Sequence, residues 1–267
     1  MGRYFRFDAN NFDFAVRADV DWRYDYFSEF VFGGTRDKRI YGLTRLTPNM
    51  TFEYDVNGLR FLQYVIGTIS ANGVTVSVED PAYIGTIHAG VDGINAGISD
   101  AKIDTWEFTV EEGGPCKAEV NAIGRATSTA APAAYTTDID SAVVMPYDVG
   151  VTINTSSIGF VRFNLRISNG MEAIYKRDTV PATIRATGLE VEGRIRCLDY
   201  LDSSVTDGSL VVVVGNVGNI YVPTVKLTEV PPRATGYDLP EVEYTFNGYP
   251  TTSDDAISAI LSNTVKW

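Results

Sequence analysis

The side chains that most often carry out acid–base or metal chemistry are few in this sequence. It contains a single histidine, His88, and two cysteines, Cys116 and Cys197. A serine or cysteine nucleophile would have to use His88 as its base, yet no G-x-S-x-G elbow is present. A zinc site built from several histidines is excluded by number, and the cysteines have no CxxC spacing. We therefore expect no catalytic centre, no metal and no cofactor here.

Acidic residues provide two further candidates. Residues whose side-chain oxygens could bind calcium occur near the start of the chain, at a spacing somewhat like that of known calcium ligands. They are Asp8, Asn10, Asp13, Asp19, Asp21 and Asp25. No Gly and Glu complete an EF-hand loop, so solvation and loop capping explain these residues more simply. Glu190 and Glu192 would lie about 7 Å apart on one strand face, which a glycosidase could use. Because Arg194 and Arg196 continue the row, an ion-pair ladder or a subunit contact is the preferred interpretation.

These charges belong to two segments, 160–167 and 189–197, that alternate between apolar and polar residues. Their apolar rows are Val161, Phe163, Leu165 and Ile167, and Leu189, Val191, Ile195 and Cys197. Their polar rows are Arg162, Asn164 and Arg166, and Glu190, Glu192, Arg194 and Arg196. A period of two predicts β-strands that are buried on one face only. The polar face then needs bulk water, a partner subunit or a water-filled channel above it.

Composition excludes several classes of function. The chain has 267 residues, of which 45% are hydrophobic, so it can bury a substantial core. Its formal net charge of -12 argues against non-specific binding of nucleic acid, which depends on Lys and Arg. The longest aliphatic run, 210–214, is far shorter than the about 20 residues that span a bilayer. With no visible secretory signal, we expect folding in a cytoplasm and no membrane partner.

Ten or more strands are predicted along the chain. They lie at residues 39–46, 50–56, 74–78, 102–112, 117–124, 149–154, 157–167, 183–198, 210–214, 218–226 and 241–246. Residues 47–49, 113–115 and 169–170 are predicted as turns, the last two as hairpin turns. The strand content predicts a mainly β fold, a β-sandwich or partial barrel with one or two short flanking helices.

Two short helices and two loops complete the prediction. One helix is expected at 57–67, capped by Asn57 and ended by Gly67. The other is expected at 256–263, where Ile257, Ile260 and Leu261 form one stripe. Loops are expected at 83–97 and 126–134, both rich in small residues.

The first 32 residues have many aromatic side chains but no sustained helical or strand period. Among them are Phe12, Phe14, Trp22, Tyr24 and Tyr26. We expect an N-terminal arm at 1–32 that packs on its own domain or on a neighbour. The β domain would then occupy 33–267, with a Gly-rich insertion at about 73–100.

Several segments, taken in order, resemble the tail tube proteins of tailed viruses of bacteria and archaea. They are residues 33–36 (GGTR) before paired strands, the strand-to-helix segment 51–67, the hairpin strand 102–108 with its tip at 111–115, and the segment 168–172. The resemblance covers residues 30–263, and the hairpin that contains Trp106 is its most specific part.

This resemblance implies a virion structural protein whose six copies close into rings, which stack into the tail tube. Each subunit would contribute strands to one inner β-barrel, and viral DNA would pass through it without specific binding. Assembly would occur in the host cytoplasm, and sheath, terminator and baseplate proteins would be further partners. The lumen or inter-subunit face would carry Arg162, Arg166, Glu190, Glu192, Arg194 and Arg196. The arm aromatics, Phe12, Phe14, Trp22, Tyr24 and Tyr26, would bridge successive rings.

Two other classes remain open at this point. A carbohydrate- or protein-binding β-sandwich would need an aromatic platform, for which the candidates are Tyr83, Tyr135, Tyr147 and Tyr249. A glycosidase would use Glu190 and Glu192, or the pair Asp199 and Asp202.

Overall fold

The structure is a computed structural model that describes residues 3–7, 10–11, 15–30, 39–70, 74–91, 94–129, 143–198, 201, 205, 207–230, 241–252 and 255–262. Up to residue 44, and at 90, 91, 94, 95 and 230, the description covers the backbone alone.

Twenty strands and one short α-helix make up the described part of the chain. The strands are β1 (Arg3–Phe7), β2 (Asn10–Asn11), β3 (Ala15–Phe30), β4 (Arg39–Asp55), β5 (Gly67–Ile69), β6 (Thr75–Val78), β7 (Ile84–Val91), β8 (Ile94–Glu111), β9 (Lys117–Ile123), β10 (Ala126–Ser128), β11 (Val149–Ile153), β12 (Ser156–Ile158), β13 (Arg162–Ser168), β14 (Met171–Ile174), β15 (Thr183–Ala186), β16 (Glu190–Cys197), β17 (Asp207–Val214), β18 (Gly218–Val230), β19 (Val242–Tyr249) and β20 (Ser258–Leu261). The helix α1 spans Leu62–Val65, and a 3-10 turn spans Pro146–Asp148.

The two alternating segments of the sequence lie at the centre of the first sheet layer. β13 pairs with β16 on one side and with β8 on the other, always antiparallel. Pairing continues outward, so that the strand order is β3–β4–β9–β8–β13–β16–β19–β18. Side chains alternate between the core and the opposite face in β13 and β16, as the period of two predicts.

The second layer has the order β12–β11–β17–β18–β20–β6–β5. β18 belongs to both layers, because its residues Gly218–Tyr221 pair with β20 and its residues Thr224–Val230 pair with β19. Pro223 lies between these stretches, and a residue without an N–H suits the point where one ladder gives way to another. A strand that bends from one layer to the other is typical of sandwich corners.

Apolar rows from both layers meet in one hydrophobic core. Trp106 in β8 is 1% exposed, and its ring stacks on Phe108 with centroids 5.8 Å apart. Phe163 stacks in the same way on Phe246, at 6.2 Å. The prediction of a mainly β fold is confirmed, and the described strands do not close into a barrel within one chain.

The predicted turn at residues 47–49 is wrong. β4 runs without a break from Arg39 to Asp55, because β3 pairs with it along its whole length. Pro48 does not interrupt it, since its carbonyl accepts a hydrogen bond from Gly124 N at 2.8 Å and pairing with β9 begins only at Asn49.

Other irregular segments of the prediction also form strands. The expected loop at 83–97 is the β7–β8 pair, and the arm contains β1, β2 and the 16-residue strand β3. The expectation that the arm has no strand period is wrong, because residues 16–26 alternate between apolar and charged residues, as a strand requires. The partner of β3 is β4, the next strand of the chain. Asn169-Gly170 is not a hairpin turn between partners, because β13 pairs with β16 while β14 pairs with β15.

Both helix predictions need correction. The first helix exists, but it is one turn at Leu62–Val65 whose N-cap is Phe61 rather than Asn57. The second is wrong, because residues 258–261 form β20, inserted between β18 and β6. Eight residues carry too little periodicity to distinguish a helical stripe from a strand that alternates as β20 does.

Candidate functional site

The outward side chains of the first layer form one broad surface, which we call the charged face. Its members are Thr51, Glu53 and Asp55 of β4; Lys117, Glu119 and Asn121 of β9; Thr105, Glu107, Thr109 and Glu111 of β8; Arg162, Asn164, Arg166 and Ser168 of β13; Glu190, Glu192, Arg194 and Arg196 of β16; and Glu243, Thr245 and Asn247 of β19. Five cations therefore share this face with eight carboxylates. All six charged side chains predicted from alternation within single strands lie on this face, but β19, β9 and β4 were not assigned to it.

Each arginine of the charged face contacts a carboxylate of the same chain. Arg162 Nε lies 2.8 Å from Glu111 Oε1, and Arg166 contacts Glu192 at 3.4 Å. Both pairs join residues directly opposite each other on neighbouring strands. An ion-pair ladder inside the chain is thus present, and its cross-strand geometry is the one that stabilises opposite charges.

Two like charges meet at the end of this ladder. Arg162 lies opposite Arg196 in the β13–β16 register, an arrangement that repels. Glu243 relieves it, with contacts of 3.4 Å to Arg196 and 3.7 Å to Arg194, and Glu241 contacts Arg196 at 3.2 Å. Glu243 belongs to β19 and Glu241 precedes it, so neutralisation of the β16 arginines depends on a strand that is distant in the sequence.

Carboxylates also lie side by side on the charged face. Glu53, Glu119 and Glu107 occupy one row across β4, β9 and β8. Lys117 Nζ binds Glu53 at 2.9 Å, and Asn164 Nδ2 donates to Glu107 at 2.7 Å. The hydrogen bond to Glu53 is the main cause that raises the pKa of Lys117, which therefore keeps its charge.

Gly193 lies on the core side of β16, behind the charged face, where there is no room for a side chain. A Cβ at Gly193 would lie 2.3 Å from the Asn164 carbonyl oxygen and 2.3 Å from Phe246 Cζ. The Phe246 ring thus occupies the space where a side chain of β16 would stand. Glycine in a strand interior marks such close approaches, and here it lets the Phe246 ring of β19 pack against the backbone of β16.

The described residues provide no arrangement typical of catalysis. They contain no group of three or more metal-ligating His, Cys, Asp or Glu residues. His88 lies in β7 and is 8% exposed, away from the charged face. Glu190 and Glu192 are both exposed, and Glu192 is engaged by Arg166. The calcium and Asp199–Asp202 candidates rest on side chains outside those described.

Neither cysteine forms a disulfide, and both thiols are buried. Burial is the main cause that raises the pKa of the Cys116 thiol to about 12, with a further contribution from Asp148. The prediction of a buried thiol at Cys197 is confirmed. Cys116 therefore offers no thiolate chemistry near neutral pH.

The aromatic candidates of the binding-module alternative lie in three separate elements. Tyr147 is 83% exposed in the 3-10 turn, Tyr249 ends β19, and Tyr83 precedes β7. The Tyr83 ring is already engaged by Lys102 Nζ, 4.8 Å from its centroid. In the part of the chain with described side chains, no ring–ring contact joins these three residues, and Tyr135 lies outside it.

The sequence analysis missed a second feature, the open edge of the first layer. β3 pairs with β4 over residues 15–30 and with no other strand among those described. From Arg39 to Arg45, β4 pairs with β3 alone among the described strands, since its pairing with β9 begins only at Asn49. We call residues 25–30 and 39–45 the ribbon. An isolated two-stranded ribbon is only marginally stable in water, so this edge favours another chain as a partner.

No described helix is long and apolar enough to cross a membrane. An open-edged antiparallel sheet with an internally neutralised charged face, rather than an enclosed reactive site, is typical of structural proteins that assemble.

The chain belongs to the phage tail tube protein family, which matches residues 11–261. A comparison with curated proteins gives no match. Family membership confirms the resemblance found in the sequence and extends it to the whole of β3. It identifies a structural component of the virion tail, a role that implies no enzymatic activity.

Proposed function

We propose that six copies of this chain close into a ring, and that rings stack into the tube through which viral DNA passes. The observation that carries this proposal is the open edge. β3 offers one side of sixteen residues without a described partner, and the ribbon offers both sides. A neighbouring copy that continues the sheet would satisfy these backbone groups, and a head-to-tail contact of this kind closes into rings.

The charged face is proposed as the wall of the lumen. It is the polar surface of the layer that ends in the open edge, so sheet continuation from copy to copy would join these faces into one inner β-barrel. Arg162, Arg166, Glu190, Glu192, Arg194 and Arg196 would then line the channel rather than a subunit contact. Glu111, Glu192 and Glu243 already neutralise the arginines, and carboxylates outnumber cations.

This wall would let DNA slide because it offers few free cations to phosphates. DNA affinity rises with each phosphate that Lys or Arg neutralises, through release of counterions. An arginine held by a carboxylate gains little from exchanging it for a phosphate. DNA would therefore pass without specific binding.

The N-terminal arm, residues 1–32, is proposed to bridge successive rings through Phe12, Phe14, Trp22, Tyr24 and Tyr26. Support comes from β3, which places the last three residues on the outermost strand of the layer. Sheath, terminator and baseplate proteins are proposed as further partners, with assembly in the host cytoplasm. Deletion of residues 1–14 combined with Trp22→Ala, Tyr24→Ala and Tyr26→Ala removes all five bridging aromatics but keeps the β3 backbone, and should allow rings but few stacked tubes, as seen by negative-stain microscopy. Long tubes at undiminished yield would refute the bridge.

The lumen assignment is tested by removing the neutralising carboxylates. In assembled tubes, the triple change Glu111→Gln, Glu192→Gln and Glu243→Gln should create DNA binding that weakens steeply with salt. A matched control places three Gln substitutions at Glu79, Glu112 and Glu172, which are exposed and lie outside the charged face. Binding that appears equally in both variants, or in neither, would contradict the assignment.

A further inference from the structure

We propose that the tip of the β14–β15 hairpin is a latch that fixes the direction of the ribbon where it leaves the body of the protein. The latch comprises Tyr175 and Thr179 at the tip, and Arg45, Leu46 and Thr47 of β4. This inference deepens the proposed function, since the ribbon is the edge offered to a neighbouring copy, but the latch itself can be measured without assembly.

Both backbone groups of Leu46 are bound by the tip. Leu46 N donates to Thr179 O at 2.7 Å, and Tyr175 Oη donates to Leu46 O at 3.3 Å. Thr47 Oγ1 hydrogen-bonds the same Tyr175 hydroxyl. The Arg45 guanidinium carbon lies 5.0 Å from the centroid of the Tyr175 ring, an ordinary cation–π distance. Three consecutive residues of β4 therefore contact one tyrosine from a segment 128 positions away.

These contacts begin where β9 ends. The Pro48 carbonyl accepts from Gly124 N at the end of β9, and two residues earlier the groups of Leu46 point to the same side of β4. The hairpin tip thus takes the place of β9 along β4 for one further residue pair. Beyond Arg45 no described strand continues on this side. Among the described residues, the latch is therefore the last hydrogen-bonded connection between the ribbon and the body.

The hairpin is itself anchored at its base, so the tip can restrain the ribbon. Asn169 is 3% exposed and its amide donates to Val65 O at 2.7 Å and to Ile103 O at 3.0 Å. Met171 N donates to Asp104 Oδ1 at 2.7 Å, at the start of β14. These bonds join the hairpin to α1 and β8, which belong to the body. Because both its base and its tip are hydrogen-bonded, the hairpin can hold the ribbon in a fixed position relative to the body.

A fixed direction matters because strand addition is sensitive to register and angle. A ribbon that is already aligned loses less conformational freedom when it pairs with a neighbour, which favours association. We therefore infer that unlatching slows ring formation even though the latch lies outside the paired edge.

The test compares the full chain, kept dilute and unassembled, with the Tyr175→Phe and Tyr175→Ala variants by amide hydrogen exchange. Tyr175→Phe removes the two hydroxyl bonds and should speed exchange at 39–47 about tenfold, whereas Tyr175→Ala, which also removes the ring beneath Arg45, should speed it further. Exchange at 49–55 and 105–111 should not change, because β9 and β13 hold those residues. The control is Tyr147→Phe, which removes a hydroxyl from a side chain that is 83% exposed.

Unchanged exchange at 39–47 in both Tyr175 variants would overturn the latch. Equal acceleration in 105–111 would overturn it too, because the tyrosine would then support the whole body. Light scattering at assembling concentration supplies the second measurement, in which Tyr175→Phe should lengthen the lag. If the unaltered chain never assembles, the proposed function fails while the exchange result still decides the latch.

Discussion

Removal of Trp106 is the sharpest test of the core beneath the charged face. Trp106 is 1% exposed, stacks on Phe108, and donates from Nε1 to the Tyr54 hydroxyl at 3.2 Å. Truncation of a buried tryptophan to alanine costs about 3–5 kcal/mol in lost transfer energy and cavity. We expect Trp106→Ala to lower the free energy of unfolding of the unassembled chain by that amount, measured by urea denaturation followed by circular dichroism.

The hydrogen bond can be separated from the packing. Trp106→Phe keeps an aromatic ring against Phe108 but removes the donor, and should cost about 1–3 kcal/mol, since the Tyr54 hydroxyl is fully buried. The double variant Trp106→Phe with Tyr54→Phe should cost less than the two single changes combined, by about 1 kcal/mol. The control, Tyr147→Ala, should stay within about 0.5 kcal/mol. Unchanged unfolding of Trp106→Ala would refute the assigned core.

Three further predictions concern local packing and charge. Gly193→Ala should destabilise the fold by more than about 2 kcal/mol in the same denaturation assay, because the new Cβ would meet the Asn164 carbonyl and the Phe246 ring. The control, Gly114→Ala, should leave the free energy of unfolding nearly unchanged, because the space around Gly114 is open. Asp80→Asn should lower the melting temperature more than Lys102→Met does, because it leaves the Lys102 ammonium, which is 3% exposed, without the carboxylate that lies 2.8 Å away. The reverse order of melting temperatures would refute this. Folded Cys116 should resist thiol reagents at pH 8, and rapid modification of the native chain would contradict its burial. Because the pKa of the Cys116 thiol is raised from 9.0 to about 12, its contribution to the free energy of unfolding is full below pH 9 and falls as the pH rises towards 12.

Strict alternation made the centre of the fold predictable. β13, β16 and the β8–β9 hairpin are buried on one face and carry charges on the other, so their period of two is directly visible in the sequence. Five of the six charged residues singled out from this pattern are members of described ion pairs or lie beside them, and Glu190 shares their face.

The edges of the sheet were not predicted, and the reason differs from element to element. Pro48 is typical of a turn, yet the strand accommodates it, because regular pairing with β9 begins only at Asn49 and Pro48 contributes its carbonyl, which accepts from Gly124 N. β3 is a different case, because residues 16–26 alternate strictly between apolar residues at even positions and charged residues at odd positions. Its period of two was therefore visible in the sequence, and the strand was missed. β20 reads as a helix over a few residues, but insertion between β18 and β6 overrides that preference. The Tyr175 latch joins residues 128 positions apart, and nothing in the local pattern signals it.

The most direct test of the account is a cryo-electron microscopy reconstruction of the assembled chain. It should show six subunits in each ring, β3 and the ribbon paired with a neighbouring copy, and Arg162, Glu192 and Arg194 turned towards the axis. A chain that remains a 29.2 kDa monomer at high concentration, or rings with the charged face on the outside, would contradict it.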